Sequence, residues 1–167
     1  NPAIFAAGDA AGNPMLAHKA THEARAVVAR LLGRDSPRPS VVPAVVFTDP
    51  EIAWVGLTES QAKDQSIEVR VSKFPWAASG RALSIGRTEG LTKLILDKAT
   101  GRAIGAGIVG SNAGELLAEA VLAIELGAVA EDIGLTIHAH PTLSETLCFA
   151  AEMAEGTITD LLPPKKR

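Results

Sequence analysis

Leu91-Thr92-Lys93-Leu94-Ile95-Leu96-Asp97-Lys98-Ala99-Thr100-Gly101-Arg102-Ala103-Ile104-Gly105-Ala106-Gly107-Ile108-Val109-Gly110 is the stretch on which the fold turns. Two apolar runs, 91–96 and 102–109, are joined only by 97–101, a short connection ending in glycine. That spacing predicts an antiparallel hairpin. The second run also spells Gly105-Ala106-Gly107-Ile108-Val109-Gly110, a match to the G-x-G-x-x-G dinucleotide pattern. Such a site needs a crossover helix, then a parallel strand with an acidic residue about 20 positions on. Neither is visible downstream, and the run is itself a hairpin arm. The glycines are therefore read as places where backbone packs closely.

Working outward, Asn112 is expected to cap a helix whose Leu116, Leu117, Ala120, Val121 and Ile124 form an apolar stripe, ended by Gly127. Further helical turns are expected at 130–133 and 143–154. Towards the amino terminus, 44–48 and 52–55 read as strands around Asp49-Pro50, 58–64 as a short helix capped by Thr58, and 67–74 as a half-buried strand. Strands first and helices later predict an α+β domain, an antiparallel sheet of about five strands with helices packed on it. Residues 34–43 are rich in proline and read as a linker. Before them, 4–7 is expected as a strand, followed by a loop and a helix with Asn13 as N-cap and Pro14 in its first turn, stopping at Gly33. The expected organisation is thus 1–33, a linker at 34–43, a main domain at 44–160 and a flexible tail at 161–167.

Composition narrows the function classes. The chain has 167 residues, 47% of them hydrophobic, which at this size can bury roughly two thirds of its surface without metals or disulfides. Cys148 is its single cysteine, which excludes an internal disulfide, a multi-cysteine zinc site and a dithiol centre, and fits a reducing, cytoplasmic compartment. With 16 basic against 19 acidic residues and 4% aromatics, the chain lacks a basic, stacking surface for nucleic acid. No apolar run reaches the roughly 18 residues a bilayer requires. The start at Asn1, without Met or a signal-like segment, is read as that of a piece of a longer protein.

Chemistry is expected in two places. In the segment 4–20, Asp9 ends an apolar run and a helix start follows. A carboxylate there can accept bonds from polyol hydroxyls, and helix-terminal amides can hold an anion or an electron-rich ring. Alternatively, Asp9 is a plain turn residue and His18 a surface residue. In His138-Ala139-His140-Pro141-Thr142-Leu143-Ser144-Glu145, the imidazole of His140 suits a general base, and Glu145 is close enough to fix its tautomer. Alternatively, Thr142 and Glu145 form a capping box. His138 is expected to point away and to play at most a supporting role. No ligand spacing suggests a metal.

These residues resemble the flavin-dependent pyridine nucleotide-disulfide oxidoreductases. Residues 4–20 look like the family's last flavin-contacting segment. Residues 43–62 look like the opening of its dimerisation domain, and Phe74-Pro75-Trp76-Ala77-Ala78-Ser79-Gly80-Arg81-Ala82 like an inner strand and loop. Ile137-His138-Ala139-His140-Pro141-Thr142-Leu143-Ser144-Glu145 is the most specific piece, closest to members that oxidise dihydrolipoamide. The resemblance implies a homodimer in which His140 and Glu145 deprotonate a dihydrolipoamide thiol in the partner's active site, with electrons passing through FAD to NAD. It implies that Asp9 contacts the ribityl or phosphate part of FAD, and that backbone around Met15, Leu16 and Ala17 faces the flavin ring. A lipoyl-bearing acyltransferase of a 2-oxo acid dehydrogenase complex is the implied further partner. Without a cysteine pair or an NAD domain, the chain alone is expected to be inactive and to bind neither cofactor. It is expected to be a carboxy-terminal interface domain, with 1–33 a strand-helix remnant of the FAD domain. Two other readings stay open: a non-catalytic dimerisation or docking module, and the same domain of another flavin disulfide reductase, such as one acting on glutathione.

Overall fold

The computed structural model describes residues 1, 3–36 and 40–161, so part of the expected linker and residues 162–167 of the expected tail lie outside the described residues. The chain separates into two compact units, Asn1–Val42 and Pro43–Arg167.

The larger unit is built on one antiparallel sheet in the order β1-β2-β5-β4-β3, from β1 (Ala44–Val46), β2 (Glu51–Gly56), β3 (Val69–Pro75), β4 (Leu91–Asp97) and β5 (Ala103–Gly110). The hairpin expected at 91–109 is its centre. Asp97 makes the turn: its Oδ1 accepts from the Thr100 N–H and hydroxyl, both at 2.7 Å, and its carbonyl accepts from the Gly101 N–H at 2.8 Å. Gly101 takes the left-handed φ of +74° that the turn requires. Ala53, Ile108, Thr92 and Phe74 lie in register across four strands, as do Val55, Ala106, Leu94 and Ser72. These rows form the buried face.

Helices α4 (Ala113–Leu126) and α6 (Glu145–Glu155) cover that face, α4 over β2 and β5, α6 over β3 and β4, with α5 (Ala130–Leu135) against α6. Phe74 and Phe149 meet at 4.9 Å between ring centroids, locking α6 to β3. On the opposite face Glu59 of α2 (Glu59–Asp64) pairs with Lys93 at 2.7 Å and Lys73 at 3.6 Å. Thr58 caps α2 through a complete capping box with Gln61. A short α3 (Gly80–Ser84) follows a 3₁₀ turn at Trp76–Ala78, with the Ser79 side chain as its cap.

Local expectation and structure part at three helix starts. Asn112 stands at the α4 N-cap position with φ +60°, but its side chain caps nothing. Glu51 does so instead, accepting the Gly114 N–H at 2.9 Å from 63 positions away. In the smaller unit α1 (Ala17–Leu31) begins at the extended Leu16, three residues after the expected Asn13-Pro14 start. The reason is the loop before it. Lys19 donates to the carbonyls of Gly8 at 3.1 Å and Gly12 at 3.0 Å, and Glu23 accepts the Gly8 N–H at 2.6 Å. The first turns of α1 thereby hold a 3₁₀ turn, Gly8–Ala11, and chain up to residue 16 is used to reach back. Residues 4–7 form no strand, since among the described residues of this unit no strand pairs with them. The third start, that of α6, belongs to the site.

Candidate functional site

Between α5 and α6 the chain runs as irregular backbone, and here the expected pair His140 and Glu145 comes together. The Nδ1 of His140 lies 2.8 Å from the Glu145 Oε1, while the other oxygen, Oε2, accepts the Thr142 N–H at 2.7 Å. The two readings of Glu145 are thus combined, one on each oxygen. The capping box is only half made: Ser144, not Thr142, occupies the N-cap position, and the Thr142 hydroxyl turns back to donate to the Ala139 carbonyl at 2.7 Å. Glu145 is nearly buried, its side chain 11% exposed, whereas that of His140 is 74% exposed. A carboxylate only accepts, so in the neutral ring the proton sits on Nδ1 and Nε2 offers its lone pair outward. The other flank of the ring is the start of α3, where a Cβ added to Gly80 would stand 4.0 Å from the His140 Cε1. The His140–Pro141 bond is cis.

His138 is arranged differently. Its Nδ1 meets the Thr136 carbonyl at 2.7 Å and its Nε2 meets the Glu119 Oε1 of α4 at 2.7 Å, with the ring 7% exposed. Both nitrogens are engaged, so this ring ties the loop to α4 and keeps no nitrogen for a substrate. Cys148 lies behind the two pairs. Burial, reinforced by Glu152, Glu119 and Glu145, pushes its thiol up to about 11, and its Sγ lies 3.7 Å from the Gly134 carbonyl. Such a thiol stays protonated and unreactive at neutral pH. Burial, then Asp160, also raises the Glu152 carboxyl, against the pull of His138. Among the described residues no group of three His, Cys, Asp or Glu side chains could hold a metal, and no helix is long and apolar enough to cross a membrane.

In the smaller unit, Asp9 is exposed within the 3₁₀ turn and its carbonyl accepts the Gly12 N–H at 3.2 Å. Met15 is exposed, Leu16 caps α1 in an extended conformation and Ala17 is its first residue. Lys19 and Glu23, which brace this loop and pair with each other at 2.9 Å, were absent from the sequence reading. Their i,i+4 spacing was the available signal. Glu23 is held below the usual carboxylate range chiefly by Lys19, then by the Gly8 N–H.

The G-x-G-x-x-G run is β5, the middle strand of the sheet. A Cβ on Gly105 would collide with the Leu57 carbonyl, and one on Gly110 with the ring of Trp76. Close packing explains these glycines, and no nucleotide loop exists there.

Comparison with known proteins agrees with this architecture. Residues 42–151 match the family "Pyridine nucleotide-disulphide oxidoreductase, dimerisation domain". The chain is 55% identical over 166 residues to a dihydrolipoyl dehydrogenase of Vibrio parahaemolyticus, covering 99% of this chain and 35% of that protein. It is 53% identical over 157 residues to that of Geobacillus stearothermophilus, covering 93% and 33%. It therefore spans about a third of the length of these relatives. Among solved structures, LpdA from Mycobacterium tuberculosis superposes with a TM-score of 0.83 at 30% identity, over 89% of this chain and 33% of that one. The HOCl-induced flavoprotein disulfide reductase RclA from Escherichia coli gives 0.81 at 29% identity, over 89% and 35%. A five-stranded antiparallel sheet covered by α4 and α6, matched over 42–151, places this chain in the dimerisation-domain family of the pyridine nucleotide-disulphide oxidoreductases.

Proposed function

We propose that this chain is the interface part of a dihydrolipoyl dehydrogenase, in which His140 is the base that takes the proton of a dihydrolipoamide thiol and Glu145 holds that base in place. The observation that carries the reading is the one-sided engagement of His140, whose Nδ1 lies on Glu145 at 2.8 Å while its side chain is 74% exposed. A thiol of ordinary pKa, near 8.5, is mostly protonated at neutral pH, while its thiolate is the nucleophile. His140 Nε2 accepts the proton, the S–H electron pair stays on sulfur, and the imidazolium that forms faces the Glu145 carboxylate. The thiolate would then attack a disulfide, forming a mixed disulfide as the original S–S bond breaks and its other sulfur leaves as a thiolate. The chain holds one cysteine, so the disulfide belongs to residues outside these 167. Exposed Leu122 and Leu126 of α4, with Leu135 and Ile137 near the histidine loop, suit a second subunit packing around it in a homodimer.

The smaller unit fits a flavin. Asp9 offers an exposed carboxylate for polyol hydroxyls, on a turn that Lys19 and Glu23 hold rigid. Backbone at Met15, Leu16 and Ala17 lies at the positive end of a 15-residue helix, which favours an electron-rich ring. A flavin held by Asp9 and the backbone at Met15, Leu16 and Ala17 would supply acceptance of the electron pair and its passage to NAD. The glycine run is not free to cradle NAD, since it packs against Leu57 and Trp76. Association with a lipoyl-bearing acyltransferase, and a cytoplasmic setting, belong to the same proposal. The test is His140→Gln in the intact flavoenzyme. Turnover of dihydrolipoamide should fall by at least the roughly 100-fold of a lost general base, and near-normal turnover would sink the assignment.

A further inference from the structure

A chain of buried hydroxyls runs from the sheet to the turn that carries Glu145. The indole Nε1–H of Trp76 donates to the Thr92 Oγ1 at 3.0 Å, Thr92 donates to the Thr146 Oγ1 at 2.8 Å, and Thr146 donates to the Leu143 carbonyl at 2.7 Å. Its direction is fixed, because an indole only donates and a carbonyl only accepts. Trp76 and Thr92 are fully buried and Thr146 is 1% exposed. Trp76 is itself wedged: a Cβ on Gly90 would come within 2.6 Å of its ring, and one on Gly110 would collide with it. The relay ends on the two residues that bracket the Ser144–Glu145 step. The 3₁₀ turn that begins at Trp76 leads directly to Gly80, the wall beside the His140 ring.

We propose that the relay Trp76–Thr92–Thr146–Leu143 sets the position of the His140–Glu145 pair, with Thr146 as a positioning residue for proton abstraction. The inference rests on the base assignment above. Packing alone calls for the Thr92 hydroxyl, which accepts from Trp76, but not for that of Thr146. Buried hydroxyls cost free energy unless bonded, and replacing both partners of such a bond by apolar groups of the same shape is often nearly neutral. Valine would supply the volume at position 146, whereas position 92 must also give the buried Trp76 N–H its acceptor. What the hydroxyls add is direction, delivered next to Glu145, where a displacement of about 1 Å can cost a factor of about 100 in rate. One tryptophan thereby fixes both the wall beside the base and the turn carrying its carboxylate.

The test compares Thr146→Val, Thr146→Ser and Thr92→Val in the full-length, flavin-loaded dimer, with His140→Gln measured alongside. Thr146→Val should lower kcat about tenfold and change KM for dihydrolipoamide less than twofold, as expected when geometry rather than binding is lost. Thr146→Ser, which keeps the hydroxyl, should restore kcat to within about twofold. Thr92→Val leaves Thr146 bonded to Leu143 and should cost less than Thr146→Val. It carries the test should Thr146→Val not yield a loaded dimer, and wild-type kcat in Thr92→Val then overturns the proposal. A folded Thr146→Val enzyme with wild-type kcat and a lowered melting temperature means the relay is packing only, and overturns it too. An inactive His140→Gln enzyme beside a fully active Thr146→Val enzyme removes the relay and leaves the base assignment standing. An active His140→Gln enzyme removes the base assignment itself.

Discussion

His138 and His140 stand two residues apart, each against a glutamate, and they do opposite things. His138 is sealed, with both nitrogens committed, one to Thr136 and one to Glu119. His140 is 74% exposed and commits one nitrogen to Glu145. A carboxylate partner therefore does not by itself fix what a ring can do: the difference lies in the nitrogen that is left over. The neighbouring helices decide it. Glu119 projects from α4 and pins His138 into the fold, whereas Glu145 opens α6 and holds His140 from behind.

The sharpest way to break this contrast is to replace each ring in turn in the intact enzyme. His140→Gln should remove at least the roughly 100-fold of a general base without lowering the melting temperature. Equal loss at both positions would erase the distinction. Glu145→Gln keeps an acceptor for the Thr142 N–H but loses the charge facing the imidazolium, and steady-state kinetics should show a loss of about tenfold, short of that at His140. His138→Gln should act mainly on stability, lowering it by about 1 kcal/mol in denaturant unfolding through the lost hydrogen bond to Glu119. A catalytic loss larger than that of Glu145→Gln would make His138 part of the chemistry.

The smallest effect concerns Cys148, which lies among the carboxylates of both pairs. Its thiol is raised from an ordinary 9.0 to about 11 in the fold, so the folded state holds the proton more tightly. That contribution to stability is whole below pH 9 and disappears as pH rises towards 11. Unfolding measured across this window should lose the alkaline decline in Cys148→Ala, and iodoacetamide should label the native thiol only slowly at pH 8.

The hairpin and α2 were legible because their determinants are local: the Asp97 turn lies within five residues, and the Thr58–Gln61 box within four. The start of α4 was legible in place but not in cause, since its cap comes from Glu51 on another strand. The start of α1 was misplaced because Lys19 and Glu23 act backwards on a loop that propensity alone would continue into helix. At the site, sequence spacing left Glu145 between cap and orienter, and only the three-dimensional turn lets its two oxygens do both. The relay was beyond reach, for Trp76, Thr92 and Thr146 are separated by 16 and 54 positions and meet only across the folded sheet.

The glycines that admit Trp76 have an optical consequence. The chain has two tryptophans, one sealed under Gly90 and Gly110 with its N–H occupied, the other, Trp54, 39% exposed on the opposite face of the sheet. An indole in an apolar enclosure emits to the blue of one in water, and a collisional quencher reaches only the latter. The intrinsic emission of this chain is therefore two separable signals, one reporting the interior and one reporting whatever comes to rest on the open face.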